Sequence, residues 1–246
     1  MTTATILFAL GAFFIAGIVK GLTGVGLPTI TLALTSFVLP LSDTIPLIAL
    51  PTVITNLSQA MVGGQFKKIV RRQWPLILPM IVTLLLTMWL IGRTTPQWAF
   101  FVLASILVIY GGLGLLRIRL RIHADLEKPL APVIGLISGV VAGLIGVPVV
   151  PLMPYMQGLD VKPVELVQSF GVIVSVASLV LTASLLRYGL LDQRHLIVSA
   201  VAIVPAVAGQ MVGTQVRQRL SIEQFRQVVF WALLLTGLYT FASRLL

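Results

Sequence analysis

The sequence predicts an all-α polytopic membrane protein made of two inverted repeats. Each repeat is a broken, re-entrant helical hairpin followed by three transmembrane helices. Three observations carry this expectation. Of 246 residues, 58% are hydrophobic and only 10% are charged, with a mean hydropathy of +1.06. The charges gather between long uncharged stretches. Two of those stretches are interrupted by similar glycine- and proline-containing sequences about half a chain apart.

A soluble domain carries roughly a quarter charged residues. The apolar excess here is too large for one core of this size, because a globule must still present a polar surface. A soluble globule, a disordered chain and a nucleic-acid-binding domain are therefore excluded, and the expected environment is the lipid bilayer. The net charge of +10 arises from 17 Lys and Arg that flank the apolar stretches. That placement is the positive-inside bias and does not call for nucleic acid as a partner. With no cysteine, disulfides, thiolate metal sites and Cys nucleophiles drop out together. The two histidines, His123 and His195, are far apart, so no metal or cofactor is expected. No Lys or Arg precedes the apolar run that begins at Ile6. A cleavable signal wants such a basic start, so residues 1–22 are expected to be retained.

The first apolar run, residues 4–39, breaks at Gly21-Leu22-Thr23-Gly24-Val25-Gly26-Leu27-Pro28. A span of about 30 Å of hydrocarbon takes about 20 helical residues. Stretches fitting one span each follow at 44–64, 72–92 and 96–116. A second broken run covers residues 130–157, interrupted at Gly143-Leu144-Ile145-Gly146-Val147-Pro148. Its length, about 42 Å as one helix, is too long for one pass and too short for two. A hairpin entering and leaving on one side, with its tip near mid-membrane, resolves this. The first run is longer, so its first arm is expected to cross more of the bilayer, and two crossings there stay open. Three further spans are expected at 163–186, 194–215 and 223–243.

The breaks align with each other. Gly17 to Val25 matches Gly139 to Val147 at an offset of 122, and Asp43 and Pro46 match Asp160 and Pro163 at an offset of 117. We therefore expect one transmembrane domain, 1–246, with repeats at 1–123 and 124–246. A hairpin adds no net crossing and three spans are odd, so the second half must enter upside down. Inverted repeats with discontinuous helices characterise many secondary transporters. Lys67, Lys68, Arg71 and Arg72 lie in one loop, and Arg117, Arg119, Arg121 and Lys128 lie two spans later, against Arg93 alone between them. Both clusters are thus expected in the cytoplasm and both termini outside. Arg217, Arg219 and Arg226 then also fall inside, while Arg187 and Arg194 fall outside against the bias.

A backbone break in a membrane is costly unless protein or water satisfies its polar groups, so the breaks should line a cavity. The second arm of each hairpin begins at its break. Pro28 and Pro148 suit a first helical turn, where a missing N–H costs nothing. Gly21, Gly24, Gly26, Gly143 and Gly146 would let a ligand approach the backbone. Two helix N-termini would then meet near the midplane, and free N–H groups around Gly24 to Leu27 and Gly146 to Val149 would bind an anion. Thr23, Val25 and Val147 belong to the same tips.

Lys20 is the only charge in the first 42 residues and directly precedes the break. An intramembrane Lys marks a functional site by default, and the simplest partner is an anionic substrate. The alternative is a side chain snorkelling to an interface. Gly17-xxx-Gly21, Gly139-xxx-Gly143 and Gly209-xxx-Gly213 are also helix-packing motifs, and packing is favoured for Gly17 and Gly139. Thr52, Thr55, Asn56, Ser58 and Gln59 lie in one span, and Gln168, Ser169, Ser175 and Ser178 in its counterpart. They either join helices or line a path, with Asn56 and Gln168 the preferred liners. Asp43 and Asp160 are expected to cap helices. Trp74, Trp98 and His195 are expected to anchor span ends.

Gly21-Leu22-Thr23-Gly24-Val25-Gly26, its echo from Gly143 to Val147, and the surrounding span layout resemble the sulfite exporter TauE/SafE family of bacterial inner-membrane proteins. The resemblance covers the whole chain. It implies transport of sulfite, sulfonates or related sulfur-containing organic anions, in the bacterial inner membrane. Pro148 stands where the first copy has Gly26, so the two tips should not be chemically equivalent.

The expected function is secondary transport of a small anion by alternating access. An anion channel of the same architecture is the alternative. Asp43, Asp160 and Glu165 all fall near span ends, so a carboxylate proton relay is poorly supported, while Lys20 could itself carry a proton. An intramembrane enzyme would need acid–base groups within reach of one another, and the apolar stretches carry none. A non-catalytic assembly subunit would not need paired breaks. A homodimer is compatible with the sequence.

Overall fold

In the computed structural model the described residues are mainly helical, with no strand among them. The structure describes residues 2–91, 98–116, 122–159 and 161–216, then 227, 230, 231, 233–235, 237, 238, 241 and 242. The elements are α1 (Thr3–Thr23), α2 (Leu27–Thr35), α3 (Leu41–Met61), α4 (Phe66–Ile91), α5 (Ala99–Leu115), α6 (Ala124–Ile145), α7 (Val149–Gly158), α8 (Pro163–Arg187) and α9 (Gln193–Val216). Five of them, α1, α4, α6, α8 and α9, are long and apolar enough to cross a membrane. The expected spans at 44–64, 72–92, 96–116, 163–186 and 194–215 fall on α3, α4, α5, α8 and α9, of which α4, α8 and α9 are among these five and α5 is a shorter apolar helix. Helix α4 starts earlier than its uncharged stretch because it carries Lys67, Lys68, Arg71 and Arg72 on its first two turns. Trp74 and Trp98, near the starts of α4 and α5, are exposed, as is an apolar stripe of α4 through Leu78, Val82, Leu85 and Trp89. The last expected span lies largely outside the described residues. Arg93, Arg117, Arg119, Arg121, Asp160, Arg217, Arg219 and Arg226 also lie outside them.

Both breaks come late in their hairpins. Helix α1 has 21 residues and α2 has 9, while α6 has 22 and α7 has 10. At 1.5 Å per residue the first arms reach about 31–33 Å and the second arms about 14–15 Å. The uncharged stretch understated α6, because its first turn carries Asp125 and Glu127. Helix α6 nonetheless opens and closes its hairpin at one end. The Ile122 N–H donates to the Gly158 carbonyl at 2.9 Å, and the Tyr155 hydroxyl donates to the Glu127 carbonyl at 3.0 Å.

The chain forms two compact units. One holds residues 1–51, 94–118 and 193–246, and the other holds 52–93 and 119–192. In the first unit α1 lies on α9. Gly17 faces the Ala206 carbonyl and Gln210 N, Gly21 faces the Gln210 carbonyl and Thr214 N, and Gly209 and Gly213 face the carbonyls of Phe14 and Ile18. Residue numbers rise together along the contact, so the helices run parallel. In the second unit α6 lies on α4 in the same way. Gly135 faces Leu76, Gly139 faces Met80 and Thr83, and Gly143 faces Leu84 and Thr87. Small residues let backbones approach and stack dispersion contacts where lipid offers no hydrophobic drive. Each first arm lies along one long helix, α9 or α4, against a glycine pair that recurs in the sequence at an offset of 122.

At all of these glycines but Gly143 a side chain meets backbone, which cannot move aside. Gly139→Val should therefore cost about 1–3 kcal/mol or more through overpacking. Thermal melting of purified protein in detergent reads this out. Gly112→Val, where an added Cβ meets nothing within 4 Å, should melt close to wild type. Equal melting of the two would show that the α4–α6 contact is not close-packed.

The second unit also carries a clamp between the end of α3 and the start of α8. Gln59 Nε2 donates to the Val167 carbonyl at 2.5 Å, and Gln168 Nε2 donates to the Ala60 carbonyl at 2.9 Å. Gly171 lets the chains close up, facing the backbone of Gln59 and Ala60.

Candidate functional site

The break after α1 is built by two glycines in left-handed conformations. Gly24, at φ 83°, ends α1 and donates its N–H to the Lys20 carbonyl at 2.7 Å. Gly26, at φ 102°, is the N-cap of α2. Side chains rarely adopt this conformation, which is why glycine stands there. Thr23 staples the turn. Its Oγ1 lies 2.9 Å from the Val19 carbonyl and 2.8 Å from the Val25 carbonyl, donating to one or the other, and accepts from the Val25 N–H at 3.3 Å.

No side chain caps α2. The leading N–H groups of a helix have no acceptor within it. Pro28 supplies none, so those of Gly26, Leu27 and Thr29 are the donors at this end. Leu27 is fully buried. Lys20 stands one turn before the cap and is 2% exposed. Its side chain is enclosed by protein and does not snorkel along a lipid-facing surface.

The second break repeats part of this. Gly146, at φ 82°, ends α6 and donates its N–H to the Ala142 carbonyl at 2.8 Å. Pro148, expected inside the first turn, is instead the N-cap of α7. Since Pro148 and Pro151 lack an N–H, the leading donors of α7 are those of Val149 and Val150. Ala142 stands where the first copy has Lys20, and Ile145 where it has Thr23. Val147 is buried.

Several expected site residues have other work in the structure. The N–H groups of Gly24 and Gly146 close the last turns of α1 and α6, because a left-handed glycine cap turns its N–H back onto the helix. Gly21 faces the backbone of α9 and Gly143 the Thr87 side chain of α4, so close approach there serves helix packing. The Thr23 hydroxyl is engaged within the break. Gln168 joins α8 to α3, with its Oε1 accepting from the Gln65 N–H at 3.2 Å, which is the helix-joining alternative. Asn56 is buried in α3 and donates from Nδ2 to the Thr52 carbonyl at 2.7 Å. Asp43 lies inside the first turn of α3 and not ahead of it, because the helix starts from Pro40 and Leu41. It favours the helix by its charge near the N-terminus, with Oδ1 3.8 Å from Nε2 of His195 on α9. His195 thus faces Asp43.

Sequence reasoning missed an ionic cluster in the second unit. Arg72 of α4 makes a two-pronged pair with Glu127 of α6, at 2.6 and 2.8 Å, and reaches Glu165 of α8 at 3.2 Å. Lys68 adds a 3.3 Å contact to Glu165. It binds the starts of α4, α6 and α8 together. Charges at the starts of three spans, all assigned to one side, were the available signal.

Long apolar helices, two of them ended by glycine-capped breaks that open directly into short second helices, define a polytopic α-helical membrane protein with paired discontinuous helices. The chain matches the sulfite exporter TauE/SafE family over residues 9–240. It belongs to that family, and the membership makes it a membrane transporter. No match was found among curated proteins or solved structures.

Proposed function

We propose that the protein moves a small sulfur-containing oxyanion, sulfite or an organosulfonate, across the bacterial inner membrane by alternating access. The anion would be held at the helix N-termini behind the breaks, at the far ends of the long first arms. The observation that carries this is the first tip. A buried lysine stands one turn before a left-handed glycine cap, and the next helix begins there with uncapped N–H groups. Positive charge, helix dipole and donors without a side-chain cap together favour an anion. The family name supplies the sulfur chemistry.

Inversion of the two halves is part of the proposal, within one transporter domain repeated at 1–123 and 124–246. Spans alternating along the chain would take α4, α5, α8 and α9 up, down, up and down. Since α1 runs parallel to α9 and α6 runs parallel to α4, the hairpins would enter from opposite faces. The basic start of α4 assigns its end of the second unit to the cytoplasm. A single cysteine at position 68 should label only from the cytoplasmic side. Labelling from the periplasm would overturn the orientation.

Flux of radiolabelled sulfite into proteoliposomes tests the activity. Saturable flux, competed by organosulfonates, is expected. Non-saturating flux would point to a channel, and lipid turnover without flux would point to an enzyme.

A further inference from the structure

We propose that the hydroxyl of Thr29 is a direct ligand of the transported anion, which makes the first hairpin tip the one that recognises the substrate. This rests on the transport function proposed above and adds to it a residue that the sequence did not single out.

Thr29 is the third residue of α2 and is 2% exposed, and its Oγ1 has no hydrogen-bond partner. Threonines inside helices usually return the hydroxyl to the carbonyl four residues back. In this chain Thr35 does so to Thr31 at 2.6 Å and Thr182 to Ser178 at 2.7 Å. For Thr29 the residue four back is Val25, which lies in the break, outside α2. The Val25 carbonyl sits 2.8 Å from the Thr23 hydroxyl. The residue that would supply the usual acceptor thus lies outside the helix, and Thr29 is a buried donor without a partner.

Side chains on a helix lean toward its N-terminus. The Thr29 hydroxyl therefore stands over the first turn, on the side of the Gly26, Leu27 and Thr29 N–H groups. The N–H groups only donate, and the hydroxyl can donate beside them. A single hydroxyl oxygen is too few acceptors for a cation, whereas an oxyanion with several oxygens takes one donor on each. A sulfite or sulfonate group has that chemistry. The duplicated tip lacks it, because Pro151 occupies the position of Thr29 at an offset of 122, with neither hydroxyl nor N–H.

Thr31 provides an internal control. Its hydroxyl is also buried and without a partner, but two residues on it points about 200° round the helix. The test is saturable sulfite flux in proteoliposomes, with sulfite affinity measured separately by competition. Thr29→Val keeps the shape and removes the donor, so KM should rise about ten-fold or more, as expected for a lost hydrogen bond to a charged group. The maximal rate should hold within about two-fold, Thr29→Ser should restore KM, and Thr31→Val should leave it unchanged. Should Thr29→Val not be recovered folded, Thr29→Ala against Thr29→Ser gives the same comparison. Wild-type KM in Thr29→Val, or an equal rise in Thr31→Val, would overturn the assignment while leaving the transport function standing. Absence of saturable sulfite or sulfonate flux in the wild type would overturn both.

Discussion

Lys20→Ala should weaken apparent sulfite affinity at least ten-fold, by about 1.5–3 kcal/mol for the loss of a charge-assisted hydrogen bond. The lysine is enclosed by protein on the last turn of α1, beside the cap that opens the break. Its charge there favours an anion held at the N-terminus of α2. Lys20→Arg keeps the charge, but its planar fork must fit a space shaped for an ammonium, so partial activity is expected. Lys20→Met keeps most of the apolar stem and removes the charge. It should lose affinity as the alanine variant does. If Lys20→Ala and Lys20→Met transport sulfite with unchanged KM, the lysine is a structural element of the hairpin. The N–H groups of α2 would then act without it.

Arg72→Ala should produce the largest loss of stability among single changes away from the tips, about 2–4 kcal/mol. Removing one partner of a buried ion pair typically costs about 3–5 kcal/mol, because the other charge is left uncompensated. The lower figure applies because the Arg72 side chain is 30% exposed and Glu127 is 18% exposed, so water screens part of the loss. Glu165, at 9%, has less recourse to water. The guanidinium grips Glu127 with two nitrogens and Glu165 with a third contact, so it fixes the base of the second hairpin to α4 and α8. Thermal unfolding in detergent measures the effect. Lys68→Ala, with a side chain 63% exposed, should change stability by no more than about 1 kcal/mol. A triple change of Arg72→Met, Glu127→Gln and Glu165→Gln should recover part of the loss, since no buried charge then lacks its partner. Melting of Arg72→Ala at the wild-type temperature would show that the cluster is solvated and does not hold the hairpin.

Much of the architecture was legible because it follows from local chemistry. Charge is expensive in hydrocarbon, so uncharged stretches mark spans, and α3, α4, α5, α8 and α9 fall where those stretches lie. A left-handed backbone favours glycine, so Gly24, Gly26 and Gly146 announce the breaks. The packing glycines Gly17 and Gly139 were legible for a similar reason, since a missing side chain permits close contact. What they touch was not. Nothing in the sequence around Gly17 points to Ala206, or around Gly139 to Met80, because partner choice depends on two surfaces distant in the chain. Gln59 and Gln168 show the same limit. Each is a polar residue in an apolar span, equally suited to a pathway or a clamp, until α3 and α8 place each amide opposite a backbone carbonyl.

At the tips the division falls within single residues. The sequence by itself determined that a lysine, three glycines and a proline surround the first break, and that the second break lacks the lysine. Tertiary structure decided which polar groups there are already engaged. It commits the N–H of Gly24 to Lys20 and the hydroxyl of Thr23 to the turn, and it leaves the hydroxyl of Thr29 buried without a partner. The reason is geometric. A hydrogen bond depends on tenths of an ångström and on direction, and both are set only when the backbone turns at the break and the helices around it close.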